Sequence, residues 1–513
     1  MGPAVLLSIV LVYFAMLLGI AFYTSRHSNN ESFFIGNRNS KWYIVAFGMI
    51  GTSLSGMTFI SVPGTVGMTG FDYFQVVIGY WLGYFAVAFI LLPLYYKLKL
   101  TSIYTYLDKR LGPTAYKTGA LFFILSRTLG ATLRLYLVIK VLELFVLKDM
   151  GISFDLTAIV ILGLILLYTF RGGVKTIVWT DTLQTTFMLG ALVICVIYIM
   201  HSLNLDLGGT WHAMQQKGYT KMVDANPLHA NYFLKQIIGG AFITIGMTGL
   251  DQEMMQKNIS VSNLRDSKKN MISFCFVMVV ANFIFLLLGG LLYLYANAKG
   301  IKATGDDLFP TIAIKSSLPF YITVCFIIGL ISAVFPSADG ALTALTSSFC
   351  IDILGLKNKQ RTEKQKMRTR LAVHNVFALI FLICVFFFRR IDNGSLIKTL
   401  LVVAGYTYGP LLALFAFGIF TKRTPRNELI PLICLISPIL CYILKQYDKQ
   451  WLGGYQIGYE LLIINALIAY LLLILCSKKG SAVASPQIEN ERTDENKAAR
   501  LDGNESTLQL ADI

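Results

Sequence analysis

The segment Gly51-Thr52-Ser53-Leu54-Ser55-Gly56 sets three hydroxyls between two glycines, in the middle of an apolar run over residues 42–69. Glycine loses more backbone freedom in a helix than any other residue, and serine and threonine offer the backbone competing hydrogen bonds. In lipid, an unpaired main-chain group is costly unless it lines a cavity where a ligand satisfies it. A helix interrupted here would turn carbonyl oxygens toward a cation and N–H groups toward an anion. The competing reading is that the glycines serve close helix packing.

A second polar stripe lies in "GLISAVFPSADGALTALTSSF", where Ser332, Ala333, Pro336, Ser337, Gly340 and Thr343 follow helical spacing around Asp339. Pro336 has no N–H and crowds the carbonyl of Ser332, so that oxygen is released for a hard cation, or else the proline only kinks the helix. Asp181 sits in another apolar run, and both carboxylates suit cation coordination or proton exchange. Arg127 and Arg134 are seven residues apart and share a helix face. A guanidinium at that depth needs a carboxylate, supplied either by an acidic solute or by the protein itself. Gly239 and Gly240, with Gly246 and Gly249, interrupt the run 233–256 as Gly51–Gly56 interrupts 42–69. They are read as lining the same substrate site or as packing residues.

The elements that carry these residues are membrane helices. Of 513 residues, 55% are hydrophobic and only 14% charged. Apolar runs of about 20 residues recur along the chain, each long enough to cross a hydrocarbon core of roughly 30 Å. Their continuity excludes a β-barrel, whose strands alternate. Thirteen spans are expected, near 4–24, 42–69, 73–97, 115–147, 154–170, 176–201, 233–256, 270–297, 319–350, 367–389, 395–420, 427–446 and 456–476. The first has no basic segment before it and no small-residue cleavage site after it, so it is read as a retained helix. A turn is expected at Gly172–Gly173. Residues 480–513 are polar and aperiodic, hence a disordered tail. The membrane domain is 1–479.

The formal charge of +16 does not imply nucleic acid, because lysine and arginine gather in alternate loops. Arg26, Arg38, Lys97, Lys99, Lys257, Lys268, Lys269, the cluster 357–370, Lys478 and Lys479 fall on one side. The positive-inside bias then gives a cytoplasmic-membrane protein with its N-terminus outside and its C-terminus inside. Eight scattered cysteines without a CxxC pair read as small core hydrophobes, and His374 as a satisfied interior histidine. No nucleophile–base pair or metal-ligand spacing supports an enzyme.

Gly-interrupted helices at matching positions in two halves point to an inverted-repeat transporter. The stretches "FFIGNRN", "GGVKTIVWTDTLQ", "GLDQEMMQKNIS", "SADGALTALTSSFCIDIL" and "GYTYGPLLALF" resemble the signature segments of the sodium:solute symporter family, in order from about residue 33 to 420. That resemblance implies a LeuT-type fold, with repeats at about 42–201 and 233–420, one extra N-terminal helix and two extra C-terminal ones. It also implies a sodium site built from the carbonyls of Gly51, Leu54 and Ala333 and the hydroxyl of Ser337. Pro336 stands where the family has a second hydroxyl; the Ser332 carbonyl or Asp339 would compensate. Asp181 matches an acidic position that some members use for a second sodium, with Asp339 and Gly340 where those members carry hydroxyl residues. Similarity to sialic-acid carriers nominates Ser53, Ser55, Thr58, Gln75 and Arg134 as solute contacts. The expected function is sodium-coupled import of a small, acidic solute by alternating access, for which a monomer suffices. The alternative is a transport-like membrane sensor that signals to a separate partner.

Overall fold

A segment that crosses lipid must satisfy its own backbone, and a long apolar helix does so within itself. The computed structural model describes residues 3–25, 40–316, 318–356, 362–391 and 396–478. The expectations for Arg26, Arg38, the motif at 33–39, Lys357, Lys359, Arg361, Lys479 and the tail 480–513 lie outside these residues. Among the described residues nine helices are long and apolar enough to span a membrane, or eleven if each of two bent pairs counts as one span.

The chain begins with α1 (Pro3–Ser25). The first bent pair follows, α2 (Trp42–Leu54) and α3 (Gly56–Thr69). Next come α4 (Tyr73–Lys97), α5 (Pro113–Leu142) and α6 (Phe154–Ser202). The second bent pair is α7 (Phe233–Gly249) with α8 (Gln252–Ile259). Then come α9 (Leu264–Lys299), α10 (Phe320–Ser348), α11 (Glu363–Ile391), α12 (Leu396–Phe420), α13 (Ile430–Gln446) and α14 (Leu461–Leu475). Outward-facing side chains such as Leu11, Val12, Leu435 and Ile439 are apolar and exposed, as a lipid-facing surface requires.

The first break is sharp and late. α2 and α3 meet at 55°, with Ser55 at φ 18° and ψ 167°, outside the helical region. Glycine and hydroxyl residues from Gly51 onward weaken the helix, but the turn itself is confined to Ser55. The second break corrects the sequence reading: α7 stays helical through Gly239 and Gly240, and the chain bends by 63° only after Gly249. Asp251 is extended, and its Oδ1 accepts from the N–H groups of Glu253 (2.9 Å) and Met254 (3.2 Å). This aspartate N-cap starts a new helix and so sets the break.

Gly239 and Gly240 belong to helix packing instead. A Cβ on Gly240 would run into the Val76 carbonyl of α4, and one on Gly239 would lie 2.7 Å from Cβ of Tyr459. With no side chain in the way, α7 lies directly on α4.

α6 needs a similar correction. Helical hydrogen bonding runs unbroken from Phe154 to Ser202, through the glycines expected to form a turn. A straight helix of that length would measure about 74 Å, more than twice a bilayer core. Yet Asp155 pairs with Arg389 at the end of α11, and Tyr198 packs on Tyr321 at the start of α10. Thr169, in between, bonds His374 of α11, which also bonds Thr346 near the end of α10. Both ends of α6 therefore lie on one side and its middle on the other, so the chain reverses within an element that stays helically bonded. Glycine permits this without requiring a loss of helix.

α10 passes through the centre of the molecule, buried on every face from Gly329 to Ser348. It packs against α5, α6 and both halves of the first broken helix. Its polar stripe consequently faces protein, not lipid.

Candidate functional site

The first break opens onto a cavity of about 80 Å³. A water needs roughly 10–15 Å³ on this measure, so the cavity has room for several waters or a compact solute. Ser53, Ser55 and Thr58 line it from the break, Arg127 and Arg134 from α5, and Thr244 and Thr248 from α7. Asn282 of α9 adds an amide whose Oδ1 has no hydrogen-bond partner. Tyr73, Tyr80 and Tyr84 of α4 form an aromatic wall, with the hydroxyls of Tyr73 and Tyr80 3.3 Å apart. Tyr84 lines the cavity together with Ser53 and Thr248.

The two arginines differ in their partners. Arg127 is held by the protein: Nη2 pairs with Glu253 Oε2, and Nη1 lies 3.7 Å from Asp251 Oδ2. Tyr408 donates to that same Asp251 oxygen at 2.8 Å. Arg134 is also buried, yet among the described residues it forms no ion pair and its Nε finds no acceptor. A buried guanidinium without a carboxylate is strongly disfavoured, which sets Arg134 apart from Arg127 on the same cavity wall.

Gln75 stands apart from the cavity. Its Nε2 donates to the side chain and the main-chain oxygen of Asp72, fixing the turn between α3 and α4. Gly239 and Gly240 are likewise absent from the lining. Gln75 occupies the helix face that turns back to its own N-terminal loop, a direction that sequence position does not reveal.

The residues implied as sodium ligands come together on two facing elements. Gly51, Leu54, Ser332, Ala333 and Ser337 are all buried. A Cβ on Gly51 would be 3.5 Å from Cγ of Pro336, which puts α2 directly against this part of α10. Ser337 donates to the Val334 carbonyl at 2.8 Å, leaving its oxygen lone pairs available. The Ser332 hydroxyl meets Tyr13 of α1 at 2.7 Å. The Gly51 N–H donates to Thr185 at 3.0 Å, a contact the sequence reading missed. A set made wholly of oxygens suits a hard monovalent or divalent cation.

Asp181 and Asp339 are buried, but not as an open pair. Asp181 Oδ2 accepts from Lys257 Nζ at 2.7 Å and from the Thr52 hydroxyl at 3.1 Å. Asp339 accepts from the Gly340 N–H. Lys257, counted from sequence among the loop charges, is only 3% exposed. The N-cap at Asp251 ends α7 and sends α8 back into the interior, which is why a lysine beyond an apolar run is buried.

Other missed residues carried a readable signal. Tyr73, Tyr80 and Tyr84 are spaced by seven and four, one face of a helix. Asp251, three residues before Met254, is an N-cap pattern. His374 is satisfied by Thr169 at 3.0 Å and Thr346 at 2.9 Å, and all eight cysteines are free.

A multi-pass helical bundle in which two broken helices and a buried arginine enclose a polar cavity has the architecture of a secondary transporter. The comparisons agree. The family model described as "Sodium:solute symporter family" matches residues 33–428, and the chain belongs to that family. It is a sodium-coupled membrane symporter and not an enzyme. The sodium/sialic acid symporter SiaT of Proteus mirabilis is 24% identical over 450 residues, covering 85% of this chain and 88% of that protein. The sodium-coupled monocarboxylate transporter 1 of Mus musculus is 25% identical over 431 residues, covering 80% and 67%. Among solved structures, a substrate-bound, outward-open Na+-coupled sialic acid symporter superposes with a TM-score of 0.79 at 20% identity, covering 93% of this chain and 99% of that one. Mhp1, a nucleobase-cation-symport-1 family transporter in a closed conformation, gives 0.57 at 14% identity, covering 88% and 94%. These two likenesses establish the fold.

Proposed function

We propose that the chain imports a small carboxylate-bearing solute, with sodium as the driving co-substrate. The observation that carries this is the buried Arg134, without an ion-pair partner among the described residues and lining one cavity with the hydroxyls of the first helix break. Two of the relatives are named for acids, one for sialic acid and one for monocarboxylates. Arg134 would hold the carboxylate through two parallel hydrogen bonds, while Ser53, Ser55, Thr58 and Asn282 would fix the rest of the solute.

Sodium would lie between α2 and α10, held by the carbonyls of Gly51, Leu54 and Ala333 and by Ser337. Pro336 supplies no ligand, and the Ser332 carbonyl it frees would complete the shell. Sodium at that point ties the first broken helix to α10 and so favours one orientation of the cavity. It contributes only its difference in affinity between the two orientations. Counting both bent pairs and the shorter apolar helices Phe154–Leu167 and Leu461–Leu475 as spans supports thirteen crossings, which put the termini on opposite sides; the positive-inside bias favours the N-terminus outside and the C-terminus inside. Repeats at 42–201 and 233–420 would each begin with a broken helix, inside a membrane unit of residues 1–479. A single chain contains the whole cavity, so a monomer suffices.

The test is a thermal-shift screen of small carboxylates with and without sodium, followed by counterflow in proteoliposomes. Sodium-dependent stabilisation and accumulation by a carboxylate are expected. Stabilisation by neutral sugars or amides alone would overturn the acidic assignment.

A further inference from the structure

Lys257 spends all three of its ammonium hydrogens inside the protein. They go to Thr52 Oγ1 at 2.6 Å, Asp181 Oδ2 at 2.7 Å and Glu253 Oε1 at 3.4 Å. Three elements meet at this one charge: α2 just before its break, the returning half of α6, and α8 beyond the second break. α10 closes the fourth side at Gly340. A Cβ there would collide with the Glu253 carboxylate and lie 3.3 Å from Lys257 Nζ. Asp339, the neighbour of Gly340, lies in the field of the same ammonium.

This is the space between Asp181 and α10 in which the sequence allows a second cation. An ammonium and a sodium ion are both compact and monovalent, and both are satisfied by carboxylate and hydroxyl oxygens. They differ in one respect: the ammonium is covalently attached and cannot leave with the solute. We propose that Lys257 is a tethered cation standing in the place of a second metal ion, so that the transporter binds a single sodium. Gly340 is the complementary feature, because a hydroxyl residue there would exclude the Lys257–Glu253 pair. Among the described residues Asp181 Oδ1 has no hydrogen-bond partner. A sodium ion bound to it about 4 Å from the ammonium would nonetheless lose roughly a thousandfold in affinity to repulsion. Glu253 also receives Arg127, so one continuous chain of charges runs from Asp181 through Lys257 and Glu253 to Arg127 at the cavity wall. The ammonium thereby links the two broken helices, at Thr52 and through α8.

The inference rests on the placement of one sodium between α2 and α10. The experiment is equilibrium binding of ²²Na⁺ alone to the purified full chain in detergent, for wild type, Lys257→Met and Lys257→Arg. One ion per chain is expected for wild type and for Lys257→Arg. Two are expected for Lys257→Met, the second competed by lithium but not by choline. Two ions in the wild type would overturn the proposal while leaving the α2–α10 site intact. A folded Lys257→Met that still binds one ion would overturn it as well. No binding to any of the three would overturn both readings. If Lys257→Met does not fold, the wild-type count decides alone.

Discussion

At the residue scale, function divides between two arginines that look alike in sequence. Arg127 is neutralised by Glu253 and Asp251, whereas Arg134 has no protein partner among the described residues. Replacing Arg134 with Gln removes the charge that would meet a solute carboxylate. A loss of about 2–4 kcal/mol, or about 30- to 1,000-fold in apparent solute affinity, is expected and can be read from uptake kinetics. Arg134→Lys keeps the charge but not the paired donors, so most of that loss should remain. Uptake near wild type in Arg134→Lys would remove the residue from the solute site. Ser337→Ala deletes one neutral oxygen from the implied sodium shell. The sodium concentration for half-maximal uptake should rise about two- to tenfold, with solute affinity at saturating sodium little changed. Which arginine is free was not legible from the sequence. The partners of Arg127, Asp251 and Glu253, lie more than a hundred residues away and reach α5 only after α8 has folded inward.

At the element scale, the two breaks arise differently. In the first, the backbone leaves the helical region at Ser55; in the second, Asp251 caps a new helix. α7 is held in place by contact with α4 at Gly240. In Gly240→Val the added methyls would meet the Val76 main chain, and overpacking of this kind costs about 1–3 kcal/mol or more. A lowered melting temperature and reduced yield in membranes are expected, measured by fluorescence-detected size exclusion. Gly130, where a Cβ would meet nothing nearer than a Leu400 methyl at 3.6 Å, provides the control. The GTSLSG cluster announced its break, since its residue types oppose a helix. The Gly239–Gly240 pair left two readings open, because glycine signals close packing as readily as irregular backbone, and packing is what these two do, while the bend follows Gly249.

At the scale of the whole molecule, two acids, Asp306 and Asp72, lie outside the membrane spans. Burial raises both, Asp306 to about 6 and Asp72 to about 6. Asp306 lies over α3 beside Gly64, and among the described residues its Oδ2 has no hydrogen-bond partner. A carboxyl whose folded value is raised binds its proton more tightly in the folded state. Its contribution to stability is full below the ordinary carboxylate value and is lost as the pH rises through about 6. The melting temperature of the detergent-solubilised protein should therefore fall between about pH 4 and pH 6. Asp306→Asn should flatten that fall, and Asp72→Asn with Asp306→Asn should flatten it further. An unchanged pH profile in the double variant would show that these two acids do not govern it.

The sequence by itself determined the helices, the class of the molecule and the first break. Each of these depends on local chemistry: how many apolar residues occur in a row, and which residue types a helix resists. It also nominated the hydroxyls at Ser53, Ser55 and Thr58, the stripe on α10 and the importance of Arg134. Only the tertiary structure decided that Gln75 binds Asp72, that Gly239 and Gly240 pack helices, and that Lys257 lies against Asp181. Burial, pairing and direction depend on which distant segment fills the neighbouring space, and in this chain α8 carries an apparent loop charge back to the centre.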